Sequence, residues 1–135
     1  MENDLKTDFL IMNNTKTQEL TRAELEIMQI LWQKEKGFVN DILEAMPAPK
    51  PAYNTVSTIV RILEKKGFVA HRAYGKSHEY YPLISRQNYT STFMTGVLNS
   101  FFGGSVGNMV SFLSRDKGIT VSEADEIIKM LQNKQ

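Results

Sequence analysis

The sequence predicts an α+β fold, mainly α, and three observations carry that prediction. Residues 54 to 67 place Val56, Ile59, Val60 and Leu63 on one stripe of a 3.6-residue period, with Asn54, Ser57, Thr58, Arg61 and Lys65 on the opposite face. The two sets lie about 180° apart at 100° per residue, as in a helix docked on a core and turned outward to a partner. Two short runs follow, 68 to 72 and 78 to 83, on either side of Tyr74-Gly75-Lys76-Ser77, where glycine supplies the positive φ of a hairpin tip. The last third of the chain returns to helical periodicity. Helices, a hairpin and further helices are the order of a winged helix-turn-helix domain with a helical region appended.

Each element has a local reason. Residues 1 to 18, with the polar run Asn13-Asn14-Thr15-Lys16-Thr17-Gln18, read as a flexible N-terminal arm. Residues 19 to 84 then form the winged-helix domain. Thr21 and Glu24 have capping-box spacing, with Leu20 and Leu25 placed as a hydrophobic staple, so a first helix starts there. It continues through Leu25, Met28, Leu31 and Trp32 and is expected to stop at Gly37, with Trp32 extending the core stripe. Val39, Ile42, Leu43 and Met46 mark a second helix of about two turns. Pro47, Pro49 and Pro51 forbid helix and hold an extended connector before the third. Lys66-Gly67 closes that third helix with a favourable charge and cap.

Residues 85 to 135 are expected to form a dimerisation region. Tyr89, Phe93, Val97 and Phe101 recur every four residues on a helix over 85 to 102, a face too apolar to leave in water. Gly103-Gly104 breaks it, and Val106, Met109, Val110 and Leu113 mark a shorter helix. Ser122 with Asp125 is expected to open a last helix carrying Ala124, Ile127, Ile128 and Leu131. Some fifty residues in three helices bury this much apolar surface poorly within one chain, which predicts a second copy as partner.

Charge points to what the outward face meets. Residues 1 to 49 carry a net −4, residues 50 to 81 a net +4 and residues 82 to 135 a net +1. Positive charge thus gathers on the third helix and the hairpin, the polarity a phosphate-binding face needs. Asn54, Thr55, Ser57 and Thr58 are the base-reading candidates, because hydroxyl and amide groups near a helix N-terminus reach base edges in a major groove. Arg61 either contacts phosphate or pairs with Glu64. Lys65 and Lys66 steer, and Arg72 and Lys76 stand where a wing meets the backbone. Tyr53 has two readings: contact with a sugar or thymine methyl, or packing on the proline-rich connector.

Other classes lose their support on composition. The chain has no cysteine, which removes disulfides, thiolate clusters and cysteine nucleophiles. His71 and His78 flank the hairpin tip and read as polar strand residues, since two imidazoles alone make a poor closed metal site. No phosphate loop, catalytic triad or carboxylate pair stands in a motif context, so no enzyme and no cofactor are expected. No leader pattern or apolar run near 18 residues is present, predicting a cytoplasmic protein without a membrane partner.

Three motifs in one order carry a family resemblance: residues 20 to 28 (LTRAELEIM), Asn54-Thr55-Val56-Ser57-Thr58 leading to Leu63-Glu64-Lys65-Lys66-Gly67, and Gly75-Lys76 followed by Tyr80-Tyr81-Pro82. Together they resemble the penicillinase repressor family over about residues 19 to 135. The resemblance implies a bacterial winged-helix repressor that binds a palindromic operator in double-stranded DNA as a homodimer, with Thr55 and Thr58 on the threonines of the family's recognition helix. It also implies, for the antibiotic-responsive branch, cutting between an asparagine and a phenylalanine, which would make a sensor protease a partner. The matching place here is Ser111-Phe112, where serine replaces the asparagine, and the cut is not carried over. The copper-responsive branch uses a C-terminal cysteine cluster that this chain lacks. The alternative reading is a winged-helix protein-interaction module that does not read DNA sequence.

Overall fold

The structure, a computed structural model, describes residues 19 to 132, with side chains through Met130; the expected N-terminal arm lies outside the described residues. Six helices and a three-stranded antiparallel sheet are present among them, in two compact units that meet in sequence at Arg86 and Gln87. The fold is the mainly helical α+β winged helix the sequence predicts.

In the first unit, helix α1 (Arg22–Lys34) opens on the expected capping box. The Thr21 N–H donates to Glu24 Oε1 at 2.8 Å and the Glu24 N–H to Thr21 Oγ1 at 3.2 Å, satisfying two orphan donors. The helix stops earlier than Gly37. Glu35 takes a left-handed φ of 74° and its N–H closes on the Leu31 carbonyl. Gly37 instead opens strand β1 (Gly37–Phe38), where it is buried and a β-carbon would sit 3.4 Å from Asp41 Cβ. Helix α2 (Val39–Ala45) follows, its Asp41 carboxylate accepting the Phe38 N–H at 2.9 Å. The proline-rich connector also caps it: the Lys50 ammonium donates to the carbonyls of Leu43, Glu44 and Met46 at 2.7 to 3.1 Å.

Helix α3 (Tyr53–Lys65) lays Val56, Val60 and Leu63 against Ile27, Met28, Leu31 and Ile42, all at zero exposure. Gly67, at φ 87°, turns the chain out of the helix, and strands β2 (Val69–Tyr74) and β3 (Ser77–Pro82) follow. They pair through a two-residue Gly75-Lys76 turn, with Gly75 at φ 63°. The strand order is β1-β3-β2, so the short β1 edges the hairpin through Gly37 opposite Tyr80. Trp32 is a half-buried tie more than a core anchor: its indole N–H donates to the Ile84 carbonyl at 2.8 Å, and the Arg86 guanidinium lies 5.9 Å from its ring.

The second unit is built on helices α4 (Arg86–Phe102), α5 (Val106–Asp116) and α6 (Val121–Gln132). Gly103 and Gly104, both at positive φ, end α4, and Ser105 caps α5 by accepting the Asn108 N–H at 3.0 Å. The last helix starts one residue before the predicted Ser122. Its reciprocal cap is Thr120 with Glu123, bonded at 3.0 and 3.1 Å, in place of Ser122 with Asp125. Burial here is sparse: Ser91, Leu98 and Met109 are buried among the described residues, while Phe93 is 40% and Phe101 77% exposed. Tyr89, Val97, Ile127 and Ile128 are half-buried, and the Leu131 side chain lies outside the described residues. No described helix is long and apolar enough to cross a membrane.

Candidate nucleic-acid interface

Helix α3 presents two faces of opposite chemistry. On its inner stripe Val56, Val60 and Leu63 are sealed in the core and Ile59 is half-buried, while Asn54, Thr55, Thr58, Arg61 and Lys65 are exposed and Ser57 is half-buried. Residues three and four apart stack on a helix surface, so Asn54, Ser57, Thr58, Arg61 and Lys65 form one polar ridge. Arg61 does not pair with Glu64; its Nε reaches back to the Ser57 carbonyl at 3.4 Å. Ile62, 41% exposed, flanks the ridge and offers an apolar contact beside it.

Two tethers fix this helix. At its C-terminal end the Lys66 ammonium, which the sequence reads as a steering cation, meets the buried Glu24 carboxylate at 2.9 Å. Burial pushes the Glu24 carboxyl up, but the Thr21 N–H and the Lys66 ammonium outweigh it and hold it below the ordinary carboxylate range. Glu64 supplies the second tether, through His71 Nδ1 on β2 at 2.5 Å. His71 stacks flat on His78 of β3, ring centroids 4.0 Å apart at 8°, and both edge onto Tyr80. Burial, followed by the Glu64 carboxylate, raises the Tyr80 phenol, which stays neutral. His71 thus ties the hairpin to α3 with the exposed His78 stacked on it, and no group of three metal-ligating side chains occurs among the described residues.

The hairpin separates its two candidate cations. In the register His71 faces Tyr80 and Arg72 faces Glu79, so side chains alternate: His71, Ala73, His78 and Tyr80 share one side, and Arg72 and Glu79 the other. Lys76, at the tip, lines an open cleft of about 720 Å³ together with Tyr53, Ser57 and Arg61 of α3. Arg72 is exposed but outside that cleft. Tyr53, which the sequence left between two readings, is 48% exposed on the cleft wall. Tyr74 and His78 also line it; the sequence reads Tyr74 as part of the hairpin tip and His78 as a polar strand residue, and what brings them to the cleft is a position shared with α3 across the fold.

The exposed hydroxyl and amide ridge beside the cationic hairpin thus brings hydrogen-bond donors and acceptors together with positive charge on one surface. Comparison with known proteins gives the family. Residues 20–133 match the penicillinase repressor family. The methicillin resistance regulatory protein MecI of Staphylococcus aureus (strain N315) is 26% identical over 122 residues, covering 90% of this chain and 99% of that protein. MecI of Mammaliicoccus sciuri is 25% identical over the same length with the same coverage. The penicillinase repressor of Bacillus licheniformis is 27% identical over 119 residues, 87% of this chain and 92% of that protein. The chain belongs to the penicillinase repressor family, whose members are transcriptional repressors and not enzymes.

Proposed function

We propose that this chain is a dimeric, sequence-specific DNA-binding repressor that occupies an inverted-repeat operator. The observation that carries the reading is the outward ridge of α3, where hydroxyl, amide and guanidinium groups stand free of the core beside a hairpin tipped with Lys76. A helix of this width enters a major groove, where Asn54, Thr55, Ser57 and Thr58 reach base edges, Arg61 and Lys65 engage guanine or phosphate, and the wing rests on the backbone. The similar proteins are named as a repressor and as regulators of resistance, which supports the same output here.

The second unit supports the dimer. Phe93, Phe101, Phe112, Val121 and Met130 are large apolar side chains left exposed in one chain. An isologous interface through α4, α5 and α6 would cover them, with Tyr89, Phe93, Val97, Phe101, Ile127, Ile128 and Leu131 as contributors. Twofold symmetry then sets two copies of α3 on half-sites about one helical turn, roughly 34 Å, apart or a small multiple of it. Occupying a promoter this way blocks transcription without chemistry, and the work is done in the cytoplasm.

Selection of bound sequences from random duplexes at a stated salt concentration tests the reading. Enrichment of an inverted repeat is expected. Recovery of unrelated sequences, with affinity independent of base order, would refute it and favour a module that meets an acidic protein partner. Sedimentation of the free chain at micromolar concentration tests the second half: a monomer there would refute the dimer.

A further inference from the structure

The open cleft between α3 and the hairpin tip has a chemistry of its own. Its ionised lining groups are the Arg61 guanidinium and the Lys76 ammonium against one carboxylate, Asp41, which is turned to the Phe38 N–H at 2.9 Å. Glu64, the neighbouring acid on α3, does not line the cleft and is taken by His71. Two phenols complete the wall, Tyr53 on the first turn of α3 and Tyr74 on the hairpin, each about half-exposed. We propose that this cleft seats one phosphodiester of the DNA backbone, held by Tyr53, Tyr74 and His78 together with Arg61 and Lys76. The inference rests on the DNA-binding reading above and adds to it three residues that lie neither on the reading ridge nor among the two wing cations.

Three observations carry it. The first is valence: a phosphodiester offers acceptors only, and every group named has a donor to give, since a phenol, a guanidinium and an ammonium all donate and imidazole keeps a ring N–H in either tautomer. The second is rigidity. His78 is stacked on His71, which is bonded to Glu64 of α3, and the Tyr74 ring lies 5.9 Å from that of Phe38. The hairpin side of the cleft is thus fixed relative to the helix side before any ligand arrives, which lowers the ordering cost of gripping a flexible backbone. The third is placement. With α3 in a major groove and the hairpin on the groove's edge, the strand bordering that groove passes between them, over the open cleft. A small molecule binds more enclosed, more apolar pockets than this one.

The test uses the full chain and the duplex recovered by selection, scanned with single methylphosphonates, each of which removes one backbone charge. Tyr53→Phe and Tyr74→Phe keep the rings and remove one donor each; His78→Ala removes the imidazole. Each variant is expected to bind the unmodified duplex about tenfold more weakly, as for loss of a hydrogen bond to a charged group. One methylphosphonate per half-site is expected to weaken the unsubstituted protein comparably, and at that position alone the variants should lose little more. Losses that add at every phosphate would overturn the seat, as would variants that bind like the parent while the duplex is still selected and read. Failure of selection to return any preferred duplex would instead overturn the DNA-binding reading, and the seat with it.

Discussion

In α1 and α3 the apolar stripe is driven to zero exposure, at Ile27, Met28 and Leu31 on one helix and Val56, Val60 and Leu63 on the other, whereas in α4 the stripe of Phe93 and Phe101 stays in solvent. Both sets are apolar, so hydrophobicity does not separate them; closure does. The first unit folds helices, a connector and a sheet around one centre and finishes its own core. In the second, three helices leave Phe93, Phe101, Phe112, Val121 and Met130 exposed among the described residues. A region that closes by itself is suited to holding a reading surface still, and a region that does not is suited to association.

The comparison breaks most visibly on unfolding. Leu63→Ala should cost about 2 to 5 kcal/mol, because a fully buried side chain is removed from a closed core, and denaturant midpoints should fall equally at low and high protein concentration. Phe101→Ser should act through association instead, weakening the dimer by roughly 2 kcal/mol or more if the residue sits centrally. Its effect on the midpoint should then depend on protein concentration. A concentration-independent loss for Phe101→Ser would mean that the second unit buries its own face, and the distinction drawn here would fail.

A charged pair sharpens the same contrast within the first unit. Lys66→Met leaves the buried Glu24 carboxylate without its cation and should cost about 1 to 3 kcal/mol. The sign of the accompanying pH effect follows from Glu24, whose carboxyl burial raises but whose Thr21 and Lys66 partners lower it further, below 4.5 in the folded state. Such a group contributes its stability above the ordinary carboxylate range and loses it as pH falls through the lowered folded value. Glu24→Gln should therefore flatten the acid limb of the stability curve below about pH 4.5, read by denaturant titration at a series of pH values. A limb of unchanged steepness would remove the pair from the acid response.

What the sequence disclosed and what it withheld divide along sequence distance. The capping box at Thr21 and Glu24, the α3 stripe and the Gly75-Lys76 turn are local patterns, written within a few residues, and all appear in the structure. Strand β1 was not legible, because two residues become a strand only when β3 lies beside them. The stop at Glu35 was misplaced for the related reason that Gly37 was the obvious breaker, while its smallness serves packing against α2. At the last helix two overlapping boxes, Thr120 with Glu123 and Ser122 with Asp125, have identical spacing, and local chemistry does not rank them. The polar side chains of α3 were legible as an outward face. The partner of Lys66, 42 residues away, and the cleft assembled from several elements were not, since no periodicity encodes a contact across the fold.

On DNA the first unit's surface should itself divide into groups that read and groups that hold. Thr55 and Thr58 are exposed and free of the core, so exchanging either for alanine should leave stability nearly unchanged. Binding to the selected operator should weaken by about 1 to 3 kcal/mol, with much less loss on random duplex. Titrations on both duplexes measure the difference. Equal losses on the two would make these threonines positioning groups and move base reading elsewhere on the ridge.

The smallest expected effect separates the two wing cations. Lys76 lines the cleft beside Arg61, while Arg72 stands across from Glu79 on the other side of the hairpin. A cation that neutralises a phosphate releases a condensed counterion, so its loss lowers the salt slope by about 0.9 regardless of base sequence. Lys76→Gln should show that full change on selected and random duplexes alike. Arg72→Gln should show less than half of it, because its cross-strand neighbour is an acid and it lies outside the cleft that Lys76 shares with α3. Both slopes come from the same titrations across a salt series, so errors in absolute affinity cancel. If the two substitutions lower the slope equally, the hairpin lies with both sides against the backbone, and α3 must enter the groove at an angle that brings Arg72 down to the phosphates.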